Sequence, residues 1–144
     1  MEIRTTFKNI IFDFGGVILN IDYRLAEQAF GKLGLRNIEQ INSPKVQQEL
    51  FETLEMGLIS PSEFRNGIRK YIGEATDEQI DAAWNAMLLE LPEERIVLLD
   101  ELKHSHRIFL LSNTNQIHFD CFSAYMKNKF KRDIFSDVFE KTYM

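Results

Sequence analysis

Cysteine is the scarcest chemistry in this sequence: Cys121 is the only one in 144 residues, so no disulfide can form within them and covalent staples do not hold the fold. Cys121 falls in a helical apolar pattern with Ile117, Phe122 and Tyr125, which reads as a core thiol rather than an activated nucleophile. Three histidines are present, His104, His106 and His118, and no cysteine or carboxylate completes a recognisable zinc spacing around them. No basic cluster occurs, and 17 Lys and Arg against 22 Asp and Glu leave a net charge of −5, which excludes the basic face of a nucleic-acid binder. Any bound anion therefore has to be held locally. No apolar run is long enough to span a bilayer, and the first residues lack the charged-then-apolar pattern of a signal peptide. The expectation is a cytoplasmic chain with no membrane and no nucleic-acid partner. A content of 44% hydrophobic and 27% charged residues over 144 positions suits one ordinary globular core.

What is present begins with Asn9 to Val17, where an apolar run delivers a single carboxylate, Asp13, onto two glycines. Ile10, Ile11 and Phe12 are continuous rather than alternating, the pattern of a parallel strand buried on both faces. A carboxylate inside such a sheet is costly, so Asp13 is expected at the strand's carboxyl end, where open α/β sheets bind ligands. Gly15 and Gly16 allow the backbone to approach a phosphate or a metal closely. The plainer alternative is that Asp13 only caps a turn.

A second segment repeats the arrangement. Arg107 to Leu111 is another short apolar run, preceded by a helical stretch over 92 to 104 and followed by Ser112, Asn113, Thr114 and Asn115. If the two strands are neighbours in one parallel sheet, this polar strand end faces the same crevice as Asp13. Ser, Thr and Asn are also ordinary helix caps, and the two readings are compatible because a helix N-terminus is an anion site.

Between the two strands the sequence reads as helical. Asp22 is a cap for a helix over Tyr23 to Leu33 that ends at Gly34; Ser43 opens Pro44 to Met56, which stops at Gly57. Ser60, Pro61 and Glu63 form a capping box with proline at the first helical position, ahead of Phe64, Ile68 and Tyr71; Thr76 and Gln79 open the next helix, with Ile80, Ala83, Trp84 and Met87 on one side. Phe51, Phe64, Tyr71 and Trp84 read as core aromatics. Pro92 starts a helix through Ile96, Leu99 and Leu102, and Phe135 to Tyr143 reads as a third strand through Val138 and Phe139. The expected architecture is an α/β fold, a Rossmann-like parallel sheet core formed by 1–19 and 89–144, with a helical cap inserted at 20–88.

The segments IIFDFGGVILNID and IFLLSNTN together resemble the haloacid dehalogenase-like hydrolase superfamily, in its capped sugar-phosphate phosphatase branch whose first motif reads aspartate, any residue, glycine. Asp13 matches the first motif of that family and Ser112 the second. The resemblance implies a Mg²⁺-dependent phosphatase acting on a small phosphorylated metabolite through an aspartyl phosphate. Asp13 is then the nucleophile, and Asp13 with the Gly15 carbonyl binds the metal. Ser112 and the amides of Asn113, Phe14 and Gly15 hold the phosphoryl oxygens, and the cap excludes water and selects substrate.

Two positions depart from the wider family. Its usual general acid and base, two residues after the nucleophile, is replaced by Gly15, as is usual in this branch, and Asp22 is a candidate substitute. The lysine and acidic metal ligands of its third and fourth motifs fall after the segment matching Phe139 to Tyr143, and Lys141 does not take that lysine's role. The expectation is therefore a truncated chain, with an apolar edge left beside the Asp13 strand that invites self-association. A catalytically incomplete fragment, or a phosphate-binding module, is the alternative to an active phosphatase.

Overall fold

The computed structural model describes residues 7–34 and 38–144. The chain divides into two compact units, one of the described residues up to Asn20 with Glu90–Ser112 and Ser123–Met144, the other of the described residues in Ile21–Leu89 with Asn113–Phe122. The first is an α/β unit and the second is helical.

The α/β unit is built on a three-stranded parallel sheet in the order β1 (Asn9–Phe12), β2 (Arg107–Leu111), β3 (Lys141–Tyr143). Asn9 pairs with Arg107 and Phe12 with Leu110; Phe109 pairs with Lys141 and Leu111 with Tyr143. Between β1 and β2 in sequence lies helix α7 (Glu93–Leu102), and its Ile96 and Leu99 are buried along with Ile108 and Leu110 of β2. A parallel sheet with helical connections is the expected α/β class.

Two local readings change. Ile11 is 67% exposed, so β1 is not covered on both faces among the described residues; it lies at one end of the sheet order, with only β2 beside it. The apolar run at Phe135–Tyr143 is not one strand either, because Ile134–Val138 forms helix α9 and only Lys141–Tyr143 is extended. The cause is Asp133, whose carboxylate accepts from the N–H groups of Phe135 and Ser136 and nucleates a helical turn ahead of the strand. Arg132 closes this corner with a two-pronged ion pair to Asp100, at 2.8 and 2.9 Å.

The helical unit contains α1 (Tyr23–Lys32), α2 (Ile38–Ile41), α3 (Pro44–Val46), a π-helical segment (Gln47–Glu52), α4 (Thr53–Glu55), α5 (Pro61–Ile72) and α6 (Asp77–Asn85). The sequence predicts one regular helix over Pro44 to Met56, whereas the chain winds more widely in the middle. There the Thr53 hydroxyl donates to the Glu49 carbonyl at 2.6 Å, a back-bond that competes with the regular ladder. The caps at Asp22, Ser43, Ser60 and Thr76 all form. Both capping boxes are reciprocal: the Ser60 side chain accepts from Glu63 N–H and the Glu63 carboxylate from Ser60 N–H, with Thr76 and Gln79 doing the same. The core is aromatic, with Phe51 4.7 Å from Trp84 and 5.3 Å from Phe64 between ring centres. Phe51, Phe64 and Trp84 are buried and Tyr71 packs at their margin. Helix α8 (Gln116–Phe130) follows β2 and its residues are shared between the two units. Among the described residues no helix is long and apolar enough to cross a membrane.

Candidate functional site

β1 ends at Phe12, so Asp13 is the first residue beyond the sheet, and its side chain is exposed. The turn that follows is organised around one acceptor. The Phe14 carbonyl receives the N–H groups of Val17, Ile18 and Leu19 at 3.2, 2.8 and 2.9 Å, and Gly16 N–H returns to the Leu19 carbonyl at 2.7 Å. This closure needs a left-handed residue, and Gly16 supplies it at φ 78° without the clash a Cβ would bring. Phe14 is buried beneath the turn, against Phe135 at 5.5 Å between rings.

The end of the loop is also fastened. Arg95, on α7, donates to the Ile18 carbonyl and to the Asn20 side chain, and Asn20 in turn donates to Glu90. The segment carrying Asp13 is therefore held at both ends within the α/β unit.

Asp13 Oδ1 accepts the Phe14 N–H at 2.7 Å. The Gly15 carbonyl accepts no hydrogen bond from any described residue. The turn thus offers two oxygen donors, a carboxylate and a peptide carbonyl, which is the donor chemistry of a hard divalent cation. Among the described residues no group of three or more His, Cys, Asp or Glu side chains forms a further metal cluster.

Ser112 comes immediately after β2. Register fixes its relation to Asp13: Phe12 pairs with Leu110, so both residues lie just past the same ends of two neighbouring parallel strands. The Ser112 N–H continues the ladder to the Tyr143 carbonyl at 3.0 Å, and the residue is 8% exposed. Its hydroxyl makes no hydrogen bond to any described residue. Asn113, next in the chain, is exposed and belongs to the helical unit's grouping.

The cap of α8 is Asn115. It is buried, and its Oδ1 accepts the His118 N–H at 3.0 Å, leaving the polar side chains of Ser112 and Asn113 uncommitted to capping. Asn115 and His118 were not readable as a pair from sequence, apart from the three-residue interval that every side-chain helix cap shows.

The other candidates take structural places. Asp22 caps α1 through the Arg24 N–H and forms an ion pair with the Arg24 guanidinium, which holds its carboxyl below the usual carboxylate range. A carboxylate so held is a poor proton donor near neutral pH. Cys121 is half-buried and burial pushes its thiol up, away from the thiolate needed for attack.

No protein-family model matches the chain. Over 109 residues it is 40% identical to the D-ribitol-5-phosphate phosphatase of Bacteroides thetaiotaomicron, an alignment covering 75% of this chain and 53% of that protein. The chain therefore spans about half the length of this curated relative. Among solved structures, a HAD family enzyme from Bacteroides thetaiotaomicron superposes with a TM-score of 0.86 at 41% identity, covering 96% of this chain and 68% of that one. A HAD-like family hydrolase from Porphyromonas gingivalis superposes with a TM-score of 0.81 at 35% identity, covering 95% and 65%.

Proposed function

This chain belongs to the haloacid dehalogenase-like (HAD) family, and from that membership we propose that it serves as a Mg²⁺-dependent phosphatase of a small phosphorylated polyol or sugar. The observation that carries the reading is the pairing of β1 with β2, which sets Asp13 and Ser112 past the same ends of adjacent parallel strands. The name of the 40% identical relative, a D-ribitol-5-phosphate phosphatase, supports the substrate class. The HAD family enzyme from Bacteroides thetaiotaomicron was crystallised with magnesium and inorganic phosphate, including as an aspartate-to-alanine variant, which supports the cation and the anion together.

In this reading the exposed Asp13 carboxylate attacks phosphorus in line. The bond to the leaving alkoxide breaks as the Asp13 acyl phosphate forms, and water then cleaves that acyl phosphate, releasing phosphate and restoring the carboxylate. The Gly15 N–H also holds a phosphoryl oxygen, whereas the Phe14 N–H, read from the sequence as part of the same cradle, donates to Asp13 Oδ1 and steadies the attacking carboxylate. The Ser112 hydroxyl and the Asn113 N–H grip the phosphoryl oxygens. The Asp13 carboxylate and the Gly15 carbonyl would hold Mg²⁺, which keeps most of its remaining positions for water and phosphate. When bound, the cation offsets the charge that gathers on the phosphoryl oxygens. Gly15 carries no side chain to protonate the alkoxide and Asp22 is engaged by Arg24, so the proton is delivered by solvent or substrate.

The test is hydrolysis of p-nitrophenyl phosphate and of D-ribitol 5-phosphate, with and without Mg²⁺, by the wild-type chain and by Asp13→Asn. Mg²⁺-dependent turnover that Asp13→Asn abolishes supports the proposal. Turnover that survives the substitution removes Asp13 as nucleophile, and phosphate binding without turnover by the wild type leaves a phosphate-binding module instead.

A further inference from the structure

Residues Asn115 and His118 are nearly sealed from solvent, at 4% and 6% exposure, and lie on no apolar pattern that explains two polar side chains there. Their hydrogen bonds form a chain. Asn115 Oδ1 accepts the His118 N–H at 3.0 Å, and the other terminal atom of the same amide, Nδ2, lies 3.2 Å from His118 Nδ1. Across the ring, His118 Nε2 lies 3.3 Å from the Trp84 carbonyl, and the imidazole stacks on the Trp84 indole at 4.5 Å and 30°.

These contacts fix the direction of every bond. With Oδ1 committed as an acceptor, the atom facing Nδ1 is an amide donor, so Nδ1 accepts and carries no proton. The ring proton then sits on Nε2 and is donated to the Trp84 carbonyl, which can only accept. One neutral tautomer satisfies both nitrogens. A buried network in which each member has its partner is stiff, and removing one member leaves the others unsatisfied at a cost.

The stiffness reaches the proposed phosphate grip through the backbone. Asn115 caps α8 and Asn113 is two residues before it, so the orientation of the Asn113 peptide is set by where the cap is held. We propose that Asn115 and His118 form a positioning pair, anchored on the Trp84 carbonyl, that fixes the Asn113 N–H for binding a phosphoryl oxygen. The inference rests on the phosphatase reading only for the identity of what Asn113 binds. Neither residue touches substrate; both act through the loop.

Three variants of the full chain test it by NMR and phosphate titration in the presence of Mg²⁺. His118→Phe keeps a ring against Trp84 and removes both side-chain hydrogen bonds. Asn115→Asp keeps the cap acceptor but reverses the bond to Nδ1, and serves where the first variant folds poorly. Ile80→Val is a control that loosens the same helical core without touching the chain of bonds. The wild-type imidazole is expected to show the Nε2–H tautomer in its ¹⁵N shifts, and Asn115→Asp to shift the proton toward Nδ1. His118→Phe is expected to lower the order parameter of the Asn113 N–H and to weaken inorganic phosphate binding by about tenfold, the scale of one weakened hydrogen bond to a charged group. An Nδ1–H tautomer in the wild type, an Asn113 N–H as rigid in His118→Phe as in the wild type, or an equal loosening in Ile80→Val overturns the proposal. If Asn113 loosens as expected while the wild type binds no phosphate, the positioning pair stands and the phosphatase reading falls.

Discussion

Arg95 donates to the carbonyl of Ile18 at 2.9 Å, joining helix α7 to the loop that follows Asp13 across 77 positions of sequence. The same guanidinium nitrogen reaches the Asn20 side chain at 2.8 Å, so one residue secures the far end of the turn. Replacing Arg95 by Met keeps most of the aliphatic packing and leaves both acceptors without it. The expected loss is about 1–3 kcal/mol of stability, measured by urea unfolding, with weaker phosphate binding as the turn loosens.

Ser112→Ala separates binding from folding. Its hydroxyl has no partner among the described residues, so unfolding in urea should shift by no more than about 0.5 kcal/mol. Inorganic phosphate affinity, followed by calorimetric titration, should fall by about tenfold, the worth of one hydrogen bond to a charged group.

Stability should fall on mild acidification because of His118. Burial pushes its imidazole down from 6.5 to about 4, with the bond to the Trp84 carbonyl opposing in part. Between those values the unfolded chain binds a proton that the folded chain refuses, so stability is fully present above pH 6.5 and is lost as the pH drops toward 4. The loss approaches about 3 kcal/mol at the lower end. Urea unfolding at pH 7.5 and pH 5 should show the decline in the wild type and a flatter profile in His118→Phe.

The Asp100 carboxyl is held well below its usual range by the Arg132 guanidinium first, with Lys103 adding to it. A depressed carboxylate stabilises the fold above the unfolded value of 3.8, and that contribution is lost as the pH falls below it. Asp100→Asn should therefore cost about 1–3 kcal/mol at pH 7 and progressively less as the pH falls below 3.8, read from thermal unfolding at pH 7 and over a series below pH 3.8.

Elements with local signals were legible in the sequence. β2 spans the residues read as a strand, and the caps at Asp22, Ser43, Ser60 and Thr76 form where a side-chain acceptor opens the helix, reinforced by a proline after Ser43 and Ser60 and by Glu63 or Gln79 three positions after Ser60 and Thr76. The α/β class followed from two apolar runs separated by helical periodicity. Phe135–Tyr143 misled because a short apolar run fits a strand and a buried helical turn equally well, and Asp133 decides between them. The exposure of Ile11 was hidden because run length reports apolarity and not coverage. In Ser112 to Asn115 all four side chains are competent caps, so the choice of Asn115 depends on burial. His118 was readable only as a metal candidate, because its partner Trp84 is 34 residues away and contributes a backbone carbonyl that leaves no trace in sequence.

The turn after Asp13 has a further property that follows from its single acceptor. Three amide protons, those of Val17, Ile18 and Leu19, converge on the Phe14 carbonyl, so no one of them can be released by a small local fluctuation while the oxygen keeps its place. In hydrogen exchange they should open as one event with one free energy, and the nucleophile's loop then behaves as a latch that is either shut or sprung.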